Sequence, residues 1–243
     1  MDSFCYEEQM PQTLQVNYSN LISGVIALAG VVQFAVCVNW SMNHYPGGYH
    51  WGEHFISDLG RTKTVLGHDN SLISGVFAQT TLMLGLALMP FMVALPGLFT
   101  YGRIPLRILG VLSSIGLIGI GQTPYDLYVE LHHASLGLWL VPMAAMVMLL
   151  PIFLKIDAAA PDSLIILSVV LLAAIVLYGL AGFRTGYVVI QKVVVVLSIV
   201  WLVVVAISAT IAAKHTPTNR QRMLADQAEW YSKRLTRSSR TKP

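Results

Sequence analysis

Six long apolar runs dominate the chain: Leu21 to Trp40, Ser71 to Phe99, Ile108 to Thr123, Leu131 to Leu154, Ser163 to Ala181 and Tyr187 to Ala213. Crossing a bilayer as a helix takes about 20 apolar residues, and each run is near or above that length. The expected fold class is all-α and integral to the membrane. Residues 21–213 form a six-transmembrane-helix bundle, preceded by an N-terminal tail over 1–20 and followed by a basic C-terminal tail over 214–243. Charged residues make up 11% of the 243-residue chain and the mean hydropathy is +0.65, whereas soluble domains are about a quarter charged. This length leaves no room for a second soluble catalytic domain, which excludes Rossmann, TIM and nucleic-acid-binding folds. The net charge is only +3 and the basic residues gather at one end, so no nucleic-acid partner is implied.

An even number of spans puts both termini on one side. That side carries Arg103 and Arg107 in the second loop, Lys155 in the fourth and eight Lys/Arg in the C-tail, eleven in all. The opposite side has four: Arg61, Lys63, Arg184 and Lys192. The positive-inside rule then places both termini in the cytoplasm, with the plasma membrane as the expected location. The first twenty residues carry Asp2, Glu7 and Glu8 without Lys or Arg, so the first run is expected to stay as a span. Cys5 and Cys37 lie before the first span and near its far end, too far apart for a disulfide. Gly110, Ser113, Gly116 and Gly119 recur every three residues in the third run, the pattern of a helix packed closely on its neighbours. Pro90 and Pro142 are expected to kink the second and fourth spans. In the tail, Leu224, Ala228, Tyr231 and Leu235 recur at helical spacing among basic residues. This reads either as a short amphipathic helix on an anionic leaflet, with Trp230 and Tyr231 at headgroup depth, or as a solvated tail that fixes orientation.

The polar residues are one-sided. His44, His50, His54 and His68 lie in the first loop with Glu53, Asp58, Asp69 and Arg61. Asp126 and Glu130 lie in the third loop, His132 and His133 at the start of the fourth span, and Gln191 and Lys192 where the sixth begins. All fall on the non-cytoplasmic face. The span middles hold no Asp, Glu, Lys or Arg, which argues against a proton relay through the bilayer. His50, His54 and Asp58 recur every four residues, and Asp126, Glu130 and His133 follow at four and then three, so each set shares a face where its segment is helical. Imidazoles and carboxylates on one face suit a zinc site, with His54, His132 and His133 the leading ligands; solvated or ion-paired loop residues are the simpler alternative. Ser57 reads as a nucleophile or oxyanion donor, or more simply as part of a turn. Lys192 either snorkels outward or points inward to pair with Asp58 or Asp126.

The stretch from Tyr45 to Gly60, with Ile56-Ser57-Asp58-Leu59-Gly60 at its end, resembles the first extramembrane loop of a family of uncharacterised prokaryotic six-span membrane proteins. That family is distantly similar to the damage-regulated autophagy modulators and the lipid-remodelling Cwh-type proteins. Asn70 to Ser74 at the second span and Gln191-Lys192 in the last match less specific family features. The resemblance implies a role in lipid remodelling or membrane homeostasis. A remoter similarity, to alkaline ceramidases and the progestin/adiponectin-receptor group, implies a Ser, an Asp and three His around zinc, with Ser57, Asp58, His132 and His133 in those parts. Those hydrolases have seven spans and a late His-x-x-x-His that this chain lacks.

The resulting expectation is a membrane protein that binds lipid at a polar, non-cytoplasmic site. If it is catalytic, Ser57, Asp58 and Glu130 are the reacting groups, zinc sits on His54, His132 and His133, and Arg61, Asp126, Gln191 and Lys192 act as headgroup ligands or structural ion pairs. The competing expectation is a non-catalytic scaffold or accessory subunit that docks other membrane-protein subunits.

Overall fold

A computed structural model describes residues 18–99, 102–158, 162–181, 187–215 and 229–230. Six helices run in order: α1 Tyr18–Asn43, α2 Ser71–Ala94, α3 Arg103–Gln122, α4 Val129–Ala158, α5 Asp162–Ala181 and α6 Val188–His215. Each contains a segment long and apolar enough to cross a membrane, and the chain is an integral membrane protein built as an all-helical bundle. Among the described residues there is no strand, only one isolated bridge between Lys63 and Asp69. The expected amphipathic tail helix lies outside the described residues except for Glu229 and Trp230.

The third helix departs most from its apolar run, starting five residues earlier at Arg103. The reason lies at the end of α2, where the last carbonyls of a helix lack partners and carry partial negative charge. The Arg103 guanidinium donates to the Phe99 carbonyl and Arg107 Nε to the Val93 carbonyl at 2.9 Å. Arg107 thus ties α3 to the end of α2, and Arg103 ties it to the segment that follows, so α3 begins on charged residues that hydropathy does not register. Pro90 lies inside α2, and Pro142 and Pro151 inside α4; both helices continue through them.

Each helix packs against its neighbours in sequence, and α6 returns to α1, which closes the six into a ring. The small residues of α3 set its closest contacts. A methyl group on Gly116 would sit 2.8 Å from Trp139 Cα of α4, and one on Gly110 would sit 2.5 Å from Met92 Cβ of α2. Ser113 Oγ donates to the Trp139 carbonyl at 3.2 Å, so α3 lies backbone-close between α2 and α4. Across the ring, the fully buried Trp201 of α6 donates from Nε1 to Ser168 Oγ of α5 at 2.8 Å.

Adding volume at such a contact costs about 1–3 kcal/mol. Gly116→Ala is therefore expected to lower the thermal midpoint in detergent by several degrees. Gly75→Ala, where an added methyl meets nothing within 4 Å, should leave it unchanged or slightly raised. Equal midpoints for the two variants would contradict the packing described for α3.

Candidate functional site

The loop between α1 and α2 folds back over the end of the ring. Gly47 and Gly48 adopt φ of 85° and 87°, a left-handed conformation that glycine takes without a Cβ penalty. These glycines, with Pro46 and Gly52, keep residues 46–55 from continuing as helix; only Ile56–Gly60 forms a short 3-10 turn. His50, His54 and Asp58 consequently do not share a helical face. His54 Nδ1 instead accepts from the His50 backbone N–H at 3.0 Å. Asp58 stabilises its own turn, Oδ2 accepting from the Phe55 N–H at 2.7 Å.

Three anchors hold this loop. Gln191 of α6 is buried; its Oε1 accepts from the Ile56 N–H at 2.7 Å and its Nε2 donates to the Tyr178 hydroxyl of α5 at 3.3 Å. Lys192 is 4% exposed, and its ammonium donates to the carbonyls of Trp51 at 2.6 Å and His54 at 2.5 Å. The Tyr49 and Trp51 rings cover the ammonium with centroids at 5.3 and 5.5 Å, a cation–π arrangement. Lys192 therefore neither reaches out to water nor hydrogen-bonds to Asp58 or Asp126; backbone carbonyls and aromatic faces take the charge. Asp126, in the third loop, accepts from the Thr62 N–H and hydroxyl and from the Lys63 N–H at 2.6–3.1 Å. It precedes the first turn of α4, so it does not continue the helical face of Glu130 and His133.

Between loop and ring lies a vestibule of about 270 Å³, lined by Ser57, Asp58, Arg61, His132, His133 and Gln191 together with Glu53, Phe55, Tyr125 and Tyr178. Six sequence-predicted residues thus meet at one cavity. His54, Asp126, Glu130 and Lys192 do not line it, and Glu130 is exposed on the first turn of α4. Tyr125 and Tyr178 had no place in the sequence reading. Tyr178 is the lone tyrosine of a helix otherwise made of Ala, Gly, Ser and aliphatic residues after its first turn, which is the one signal that marks it.

Asp58 lies 3.8 Å from the Arg61 guanidinium, which stands over the Tyr125 ring at 5.6 Å. His132 is 3% exposed, with Nδ1 2.8 Å from the Thr123 carbonyl. Beneath the vestibule a second, narrow cavity of about 70 Å³ lies inside the ring, lined mainly by apolar residues such as Phe77, Leu84, Leu117, Trp139 and Val195. The two cavities share Ser57, His132, Leu136 and Gln191.

The two loop carboxyls differ in their acidity. Burial pushes Asp58 above the usual carboxylate range, and the opposing Phe55 N–H and Arg61 guanidinium do not offset it. Burial also pulls Asp126 upward, but the Thr62 and Lys63 hydrogen bonds together hold it below that range. Burial, aided by Asp58, pushes the Tyr45 hydroxyl up to about 12. Asp126 is thus an ionised clamp, whereas Asp58 keeps its proton to a higher pH than a free side chain.

The donors expected for zinc are separated: His54 turns toward His50 and Tyr49, while His132 and His133 border the vestibule. Among the described residues no three His, Cys, Asp or Glu stand close enough to hold a metal ion.

Fold and site together define a six-span integral membrane protein whose helix ring holds an apolar chamber under a polar, loop-covered vestibule. No protein-family model matches the chain, and neither a curated protein nor a solved structure does.

The clamp has a pH signature. A carboxyl held below its ordinary value adds stability that is complete above that value and is lost as pH falls through the folded value. Asp58, shifted upward, works in reverse, its protonated form favouring the fold and that contribution fading as pH rises. Charge-assisted hydrogen bonds on a half-buried group that solvent still screens contribute about 1 kcal/mol. Asp126→Asn should therefore lower the thermal midpoint at pH 7 and converge with the unsubstituted protein as pH falls through and below the ordinary carboxylate range. A gap that stays constant with pH would rule out the ionised clamp.

Proposed function

We propose that the protein binds a membrane lipid, with the headgroup in the vestibule and an acyl chain in the chamber below. The observation that carries this reading is the adjacency of the two cavities, which share Ser57, His132, Leu136 and Gln191 in their linings. A polar room that adjoins an apolar one inside a bundle suits an amphiphile better than a fully polar solute. In the vestibule, Arg61 is suited to a phosphate, while Glu53 and Asp58 provide acceptors for hydroxyl or ammonium groups. The chamber is lined mainly by apolar side chains, with His132, Gln191 and scattered Ser and Thr and, among the described residues, no Asp, Glu, Lys or Arg, which suits a chain. The charge distribution favours a site on the non-cytoplasmic side, with both termini in the cytoplasm. The first-loop resemblance to lipid-remodelling proteins points the same way.

Of the groups expected to cleave a lipid, Ser57, Asp58, His132 and His133 line the vestibule, whereas Glu130 and His54 lie outside it. Binding is the reading adopted. A scaffold role has less in its favour: exposed apolar faces occur on every lipid-facing span, so they are no argument for a docked subunit.

Native mass spectrometry of protein extracted in mild detergent tests the reading. About one lipid per chain should be retained. Arg61→Ala should weaken retention roughly 10-fold or more, as expected for loss of a charged hydrogen bond of about 1.5–3 kcal/mol. Leu117→Trp, which fills the chamber, should abolish retention. A protein that carries no lipid, or variants that retain it unchanged, would exclude the proposal.

A further inference from the structure

The vestibule has a second apolar branch. A groove of about 420 Å³ lies between α4 and α5 and shares His133, Leu136 and Tyr178 with the vestibule. Leu136 lines all three cavities. The groove continues along α4 past Leu140 and Val141 to Ala144, and Val141 is 72% exposed. This branch therefore opens on the outer face of the bundle, whereas the chamber lies inside the ring.

Two glycines in this groove behave differently from those of α3. Methyl groups built on Gly137 and Gly179 meet nothing within 4 Å, while those on Gly110 and Gly116 collide with the neighbouring helix. Small residues between transmembrane helices ordinarily allow close approach. Here they leave open space, and among the described residues α4 and α5 pack less closely than any other neighbouring pair in the ring. From His133 to Ala144 the groove follows about 16 Å of helix at about 1.5 Å per residue. That is about half of a hydrocarbon core roughly 30 Å thick, the depth of a single leaflet. At its upper end the groove meets the vestibule, where Asp58 is 7% exposed and stands beside Arg61.

We infer that the α4–α5 groove seats the second acyl chain of a two-chain lipid whose headgroup occupies the vestibule and whose first chain occupies the chamber. The inference rests on the lipid-binding reading and narrows it to a class. A diacyl lipid would straddle α4, one chain inside the ring and one against its outer face, and would reach the vestibule sideways from the leaflet. Surrounding hydrocarbon supplies an acyl chain to any open groove at this depth, and the connection to a charged room selects the chain that bears a headgroup.

The test compares diacyl phosphatidylglycerol with its single-chain lyso form on the full chain, by lipid titration in native mass spectrometry. The unsubstituted protein should bind the diacyl lipid at least 10-fold more tightly. Gly137→Phe and Gly179→Phe, which fill the groove without meeting a neighbouring atom at Cβ, should erase that preference while lyso binding stays within about 2-fold. Equal affinity for both lipids would overturn the inference and leave the lipid-binding reading standing; no binding of either would overturn both. A diacyl probe with a diazirine at one chain end keeps the test independent of the variants' folding. Labelling at residues 137–144 and 175–179 in the unsubstituted protein supports the groove as a chain seat. Labelling confined to chamber residues such as Leu84 and Leu117, or a Val141→Cys cross-link showing the groove filled by a second copy of the chain, overturns it.

Discussion

The amide of Gln191 joins the parts on which the site depends. It sits where an apolar helix, the first loop and α5 meet, and it lines both the vestibule and the chamber. A buried amide is tolerated only where its donors and acceptor find partners, and here those partners are the Ile56 backbone and the Tyr178 hydroxyl. Meeting that requirement fixes where the loop crosses the ring. Lys192 meets a harsher version of the same requirement, because a charge entering a hydrocarbon-spanning helix must be neutralised or solvated. Two backbone carbonyls and two aromatic faces do this, and in doing so they order residues 49–54. Asp126 completes the set from the opposite rim.

The ring has a firm half and a loose half. Along α2, α3 and α4, glycine and serine bring backbones together, and hydrogen bonds such as Ser113 to Trp139 add direction to the contact. Between α4 and α5 the glycines leave space instead. The vestibule lies between these regions: His132 faces inward from α4 toward the well-packed side, and His133 borders the groove. Adjacent residues of one helix thus serve two different rooms.

The spans, their order and the one-sided gathering of polar residues were legible in the sequence because hydrophobic run length and charge distribution act locally along the chain. The close packing of α3 was legible for the same reason, from the spacing of Gly110, Ser113, Gly116 and Gly119. Ser57, Asp58, Arg61, His132, His133 and Gln191 could be picked out as polar residues on one face, and they do line one cavity. The partners of Lys192 and Asp126 were not legible. Sequence reasoning pairs a charge with an opposite charge, whereas these side chains bond to backbone groups, which every residue carries and none advertises. The helical spacing of His50, His54 and Asp58 misled because Pro46, Gly47 and Gly48 begin a loop that no periodicity overrides. Tyr178 was hidden by its surroundings, since one hydroxyl in an aliphatic helix changes its hydropathy very little.

The three anchors of the first loop come from widely separated parts of the chain, and a ribosome delivers them in order. When α1 and α2 have entered the bilayer, residues 44–70 lack these three anchors and are held near the start of α2, where Ser74 Oγ donates to the Gly60 carbonyl and Asn70 Nδ2 to the Arg61 carbonyl. Asp126 emerges some 60 residues later as the first clamp, and Gln191 and Lys192 arrive only with the final helix. A polar cavity exposed early would present unpaired charges to the surrounding lipid. By keeping two of the three fastenings until last, the chain postpones the assembly of its charged interior until every wall that encloses it has been inserted.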